Sequence, residues 1–218
     1  MLKSARGFRD QRCPGCQLPL SLCICCSLPR ITAKATFWIL MHPFEYDKPT
    51  NTGRIIQDCI HQSKIIFWER TLPSHRLLNL IKDNQQVFLV FPEEYKTNTN
   101  SPVHSRPLAT ENPNFILLDG TWKQARKIFR KSPYLHHLPI LSLNSEQKSI
   151  YKLRRPSQDH HFCTVEVAIA LLQQNQEIEQ SLKLNLYFKK FVSQHMIHRN
   201  GKRFMEKMAW FEKRCPSN

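Results

Sequence analysis

The run Phe115-Ile116-Leu117-Leu118-Asp119-Gly120-Thr121-Trp122-Lys123-Gln124-Ala125-Arg126-Lys127-Ile128-Phe129-Arg130-Lys131 decides how this chain folds. Phe115 to Leu118 has the length and composition of a buried strand, Asp119 ends it, and Gly120 supplies a flexible corner. A helix follows. Thr121 is a good N-cap type. Beyond it Trp122, Ala125, Ile128 and Phe129 fall on one face, and Lys123, Arg126, Lys127, Arg130 and Lys131 on the other. No acidic residue occurs between Gly120 and Ser145, so the five cations have no partner on their own helix and are set to face an external polyanion. An ordinary solvated helix face is the plain alternative.

The same alternation continues on both sides. Ala35 to Met41, Ile65 to Trp68 and Val87 to Phe91 read as short apolar strands, the last closed by Pro92. Thr52 to Gln62 reads as a helix with Ile55, Ile56, Cys59 and Ile60 inside, and Leu77 to Ile81 lies in another. Glu93 to Asn114 is a long polar loop, and Leu138 to Leu143 is a further apolar run. Val165, Ala168, Ile169 and Leu172 mark a buried helix within Cys163 to Gln174, and Leu182 to Arg214 reads as a polar, basic helical tail. Strands alternating with helices predict an α/β domain with a mainly parallel sheet flanked by helices. Its ligands belong outside the carboxyl ends of the strands, at the loops His42 to Arg54, Phe91 to Tyr95 and Asp119 to Trp122. Three segments are expected: 1–34 as a zinc knuckle and linker, 35–181 as the catalytic domain, and 182–218 as the basic tail.

The 218 residues suffice for one sizeable core, and 41% hydrophobic with 22% charged is a globular balance. A net charge of +15, from 32 basic and 17 acidic residues, points to nucleic acid. No apolar run is long enough to span a bilayer, and Met1 to Arg12 has no apolar signal core, so a cytoplasmic protein with no membrane association is expected. No obligate protein partner is predicted. There are five glycines, no G-x-G-x-x-G and no Walker loop, which disfavours a dinucleotide or nucleoside triphosphate enzyme.

Of the eight cysteines, Cys13, Cys16, Cys23 and Cys25 form C-x2-C-x6-C-x-C, two close pairs that can present four thiolates to one tetrahedral ion. Zinc is the natural occupant, and Pro14-Gly15 favours the tight turn of a knuckle. Cys26 is an alternative to Cys25, and a thioredoxin-like dithiol is a competing reading of the first pair. Cys59 and Cys163 are expected to be small buried hydrophobes.

Taken in order, the cysteine spacing, His42-Pro43-x-Glu45, Asn51-Thr52-Gly53-Arg54, Phe91-Pro92, Asp119-Gly120-Thr121-Trp122, Tyr151-Lys152-Leu153-Arg154 and Thr164-Val165-Glu166 resemble the DTW-domain family, in particular its bacterial members. The likeness runs from about Cys13 to Leu172. It implies a SPOUT-like α/β fold of a kind that can carry a trefoil knot, and S-adenosylmethionine as co-substrate. It also implies transfer of the 3-amino-3-carboxypropyl group to N3 of a variable-loop uridine in tRNA, leaving 5′-methylthioadenosine. Two other readings stand beside it: a SPOUT-type RNA methyltransferase, and a zinc-bearing RNA-binding module without activity.

On this reading Asp119 is the candidate acceptor for the uracil N3 proton, the alternative being that it caps the helix or orients Thr121 and Trp122. Trp122 stacks on uracil or adenine, or lies in the core beneath its helix. Arg54 and Arg154 suit the cofactor carboxylate or an RNA phosphate, and Asn51, Thr52 and Gly53 open a helix whose amides favour an anion. Phe91, Pro92, Thr164 and Glu166 complete the expected cofactor site, a structural ion pair being the alternative for both Arg54 and Glu166. Lys123, Arg126, Lys127, Arg130 and Lys131 are the expected RNA contacts, helped by the cations of the tail.

Overall fold

The computed structural model describes residues 11–95, 103–104, 112–143 and 162–214, with the side chains of 103–104 and of residues beyond Gly201 set aside. Arg154 and the motif from Tyr151, both expected at the site, lie outside the described residues.

Six strands form one sheet: β1 (Thr36–Met41), β2 (Lys64–Phe67), β3 (Val87–Val90), β4 (Val103–His104), β5 (Asn114–Asp119) and β6 (Ile140–Leu141). Their order across the sheet is β2-β1-β5-β3-β6-β4, and every pairing is parallel. A parallel sheet needs cover on both faces, which is why its strands are apolar throughout and do not alternate with polar residues. Phe37, Ile39, Met41, Phe115 and Leu117 point to one layer, with α1 (Gly53–Cys59), α4 (Thr164–Gln174) and α5 (Ile178–Arg214). Trp38, Leu40, Leu89 and Ile116 point to the other, with α2 (His75–Asp83) and α3 (Trp122–Arg130). The expected mainly parallel, helix-flanked sheet is therefore present.

Three elements differ from the sequence reading. The first helix is seven residues and not eleven, because Ile60 leaves it to bridge Ile31. The supposed loop from Glu93 to Asn114 contributes β4, an edge strand of two residues, too short for any periodicity to register. The helix expected as a polar tail starts earlier, at Ile178, and is not merely polar. Leu184, Tyr187, Phe188 and Phe191 are buried in the core against α4 and α1. Each such side chain contributes roughly 1.5–3 kcal/mol on burial, so the first turns of this helix belong to the domain core and the segment beginning at Leu182 starts inside it. Ahead of it, Glu177 is buried and accepts the Lys34 and Ala35 amides at 2.6 and 2.9 Å, fastening the chain where the first strand begins. Among the described residues no helix is long and apolar enough to cross a membrane.

Candidate active site

The carboxyl ends of β1 and β5 lie side by side, with Met41 opposite Asp119, and the Asp119 carbonyl accepts the His42 amide at 2.9 Å. The Asp119 side chain is only 3% exposed, and a buried carboxylate is tolerated only when its oxygens are supplied with donors. Two come from residues at the starts of different helices. Asn51 Nδ2 donates to Oδ2 at 2.6 Å, and the Thr164 hydroxyl donates to Oδ1. Asn51 Oδ1 in turn accepts the Arg54 amide at 3.0 Å, so this one side chain caps α1 and ties it to β5. A Cβ on Gly53 would lie 3.0–3.1 Å from the Asp119 carboxyl group, a tight contact that the carboxyl group would have to relieve by moving a few tenths of an ångström. At the start of α4 the Cys163 amide donates to Glu166 Oε2 at 2.9 Å, closing a capping box. Thr52 is buried beside them. The expected residues Asn51, Gly53, Thr164 and Asp119 thus make one hydrogen-bonded knot of three chain segments.

Trp122 sits at the same end of the sheet but on its other face. It stacks on Phe91 at 5.5 Å between centroids and meets Tyr95 edge-on at 5.6 Å, while Phe91 also stacks on Phe129 at 4.8 Å. Half-buried, the indole packs on these rings and keeps part of its surface open. Thr121, expected to be catalytic, caps α3: its Oγ accepts the Gln124 amide at 3.3 Å and its own amide donates to Gln124 Oε1 at 2.6 Å. The side chains of Lys123, Arg126, Lys127, Arg130 and Lys131 are all exposed, and among the described residues none forms an ion pair. Lys127 Nζ lies 5.7 Å from the centre of the Trp68 ring, a cation–π contact.

The sulfurs of Cys13, Cys16, Cys23 and Cys25 lie within 4.8 Å of one another, Cys13 being 3.4 Å from Cys23 and 3.5 Å from Cys25, and Cys16 3.9 Å from Cys23. Thiolates about 2.3 Å from a tetrahedral zinc stand roughly 3.8 Å apart, so the set fits such an ion. The fourth member is Cys25; Cys26 is exposed outside the group. The Cys16 amide, followed by the neighbouring thiols and the Gly15 amide, lowers the Cys13 thiol to about 6 against the effect of burial. Burial pushes the Cys59 and Cys163 thiols upward, which suits inert packing residues. Leu18 and Ile24 anchor the cysteine loop in the core. Arg54, expected to meet the cofactor or RNA, instead donates from Nη2 to the Gly15 carbonyl at 2.6 Å and lies 5.4 Å from the Tyr46 ring centre, linking the cysteine loop to the start of α1.

The family model described as the DTW domain matches residues 10–196. This chain belongs to the DTW-domain family. Three curated relatives carry the name tRNA-uridine aminocarboxypropyltransferase 2. The protein from Drosophila melanogaster is 29% identical over 183 residues, covering 80% of this chain and 71% of that protein. Those from Macaca fascicularis and Mus musculus are 26% and 25% identical over 185 and 183 residues, covering 80% of this chain. The chain spans 60% of the length of these two mammalian relatives. No solved structure matches it significantly.

The DTW match passes Ser181 and takes in the buried turns of α5, which the motif-by-motif likeness did not reach. It also encloses a group to which sequence reasoning gave no role. The His42 ring meets Trp68 at 5.7 Å and Phe44 at 5.4 Å, tilted in both pairs, and Trp68 Nε1 donates to Ser132 Oγ at 3.0 Å. The signal available was His42-Pro43-x-Glu45 at the carboxyl end of a strand, quoted as a motif with Phe44 in its unspecified position.

Proposed function

We propose that this chain is a tRNA-modifying transferase that moves the 3-amino-3-carboxypropyl group of S-adenosylmethionine to N3 of a variable-loop uridine. The observation that carries the reading is the meeting of Asn51, Gly53 and Thr164 on Asp119 at the carboxyl rim of a parallel sheet, inside the span that matches the DTW domain. The names of the relatives, tRNA-uridine aminocarboxypropyltransferase 2, suggest the reaction class. The cationic stripe of α3 supplies the means of holding an RNA backbone. A SPOUT-like path through the sheet, and zinc in the cysteine cluster, are part of the same proposal.

When bound, the sulfonium supplies an activated carbon whose bond to sulfur breaks as the bond to N3 forms. The task left to the chain is to hold nucleophile, carbon and leaving sulfur in line, which contributes up to roughly 7–11 kcal/mol, and to accept the N3 proton. Asn51, Thr52, Gly53, Thr164 and Glu166 form the polar wall for the cofactor. Phe91 and Pro92 back the aromatic side, where Trp122 offers a face to a ring, and Asp119 is the proton acceptor. Arg54, whose guanidinium keeps donors beyond the one bonded to Gly15, and Arg154 are the arginines for the cofactor carboxylate or an RNA phosphate.

The test is to incubate the purified protein with unmodified tRNA and S-adenosylmethionine and to identify both products by mass spectrometry. An aminocarboxypropyl-uridine with 5′-methylthioadenosine is expected. A methylated nucleoside with S-adenosylhomocysteine, or no adduct with RNA binding intact, overturns the proposal in favour of a methyltransferase or a binding module.

A further inference from the structure

Three large aromatic side chains are exposed around the end of β1: Phe44 at 79%, Phe67 at 45% and Tyr46 at 41%. Single exposed apolar residues need no explanation, but a cluster of aromatics beside a candidate active site does. Phe44 is held on a rigid turn, Pro43–Glu45, with Pro43 fixing the first position and the Phe44 amide directed at His42 Nδ1 at 3.4 Å. Its ring continues inward to His42 at 5.4 Å and from there to Trp68 at 5.7 Å, both buried. At the far end Lys127, a member of the α3 stripe, lies over Trp68. Tyr46 meets Phe67 edge-on at 5.2 Å and carries Arg54 over its own ring. Of the two carboxylates in this loop, Glu45 is fully buried and paired with Lys48 at 2.5 Å, and Asp47 is exposed.

We propose that Phe44 is a base-stacking residue for the RNA substrate, taking the nucleobase next to the reacting one while Lys127 and the α3 stripe hold the backbone. The inference rests on the reading of the substrate as RNA. An aromatic face is sequence-tolerant as a base platform, and Lys127 over Trp68 and Arg54 over Tyr46 put cations on the neighbouring rings, where the phosphates of a stacked strand would be met. A partner protein with an apolar surface would not call for a cationic stripe that forms no ion pair among the described residues. The location follows from the backbone: His42, two residues before Phe44, is bonded to the Asp119 carbonyl, so a base on Phe44 is a neighbour of one delivered to the rim. No residue role proposed so far for the reaction uses this side chain.

The experiment measures tRNA affinity across a salt series for the wild type, Phe44→Ala, Phe44→Trp and Lys127→Ala, with melting temperature and self-association measured in parallel. Phe44 leaves its ring in water, so Phe44→Ala melts with the wild type. Its tRNA affinity falls by roughly 5- to 150-fold with an unchanged salt slope, because stacking releases no counterions. Phe44→Trp keeps affinity near wild type, and Lys127→Ala lowers the slope by about one phosphate contact. Unchanged affinity for Phe44→Ala overturns the proposal alone, and if self-association changes instead, the platform is a protein interface. Failure of the wild type to bind tRNA defeats the functional reading, and the proposal with it.

Discussion

Asp119 was legible as a strand-end acid because four apolar residues precede it and a glycine follows. Its partners were not. Asn51 is 68 residues upstream and Thr164 is 45 downstream, and only the packing of two helices against the same strand end brings them to it. The same topology explains Gly53, which reads as a helix-opening residue but serves as the gap through which the carboxyl group fits. Thr121 was legible as an N-cap from its type, and that is the bond it makes. The account predicts that Asp119→Asn lowers kcat by on the order of 10²–10⁴, the range for loss of a general base. Removal of one donor by Thr164→Ala costs less, about the 1.5–3 kcal/mol of a hydrogen bond to a charged group. Single-turnover rates on tRNA decide between them: equal losses in the two variants leave Asp119 as a positioning residue only, and an unchanged rate for Asp119→Asn removes it from the chemistry.

At the scale of elements, the apolar runs gave β1, β3 and β5 to within a residue or two, since a parallel sheet buried on both faces leaves continuous hydrophobic stretches. The long C-terminal helix was read by its lysines, and the stripe Leu184, Tyr187, Phe188, Phe191 was overlooked although its spacing is helical. That helix also carries His195, which is 6% exposed and bonded through Nε2 to the Pro49 carbonyl at 3.1 Å, bracing the loop that delivers Asn51. Burial, with smaller contributions from Arg12 and His198, lowers its pKa to about 4, although the Pro49 bond acts in the opposite direction. Between pH 4 and 6.5 the unfolded chain therefore binds the extra proton. The stabilisation is complete above about pH 6.5 and is lost as pH falls towards 4, by on the order of 2 kcal/mol after allowing for solvent screening. Urea unfolding at pH 7 and pH 4.5 checks this: His195→Gln should lose less stability over that interval than the wild type, and an identical loss in both would show that His195 is not responsible.

For the molecule as a whole, composition pointed to a polyanion and the alternation of elements to an α/β sheet, but neither could order the strands. β5 enters between β1 and β3 after both have formed an apparent sequence of neighbours, and no local pattern encodes that insertion. The insertion is what creates the rim: it sets Asp119 beside Met41 and lets the starts of α1 and α4 converge. It also separates two surfaces at the same end of the sheet, the polar knot around Asp119 on one face and the aromatic, cationic approach along α3 on the other. Truncation at Ser181 would strip the core of Leu184, Tyr187, Phe188 and Phe191 and report on folding as much as on RNA binding. The division of labour between the two faces is most directly tested by a crystal of the protein soaked with S-adenosylmethionine. Density for the sulfonium ligand against the Asn51–Arg54 loop and Thr164, with its reactive carbon open towards Trp122, is the predicted result; a rim left empty or filled by packed side chains, or a ligand bound elsewhere, contradicts the account.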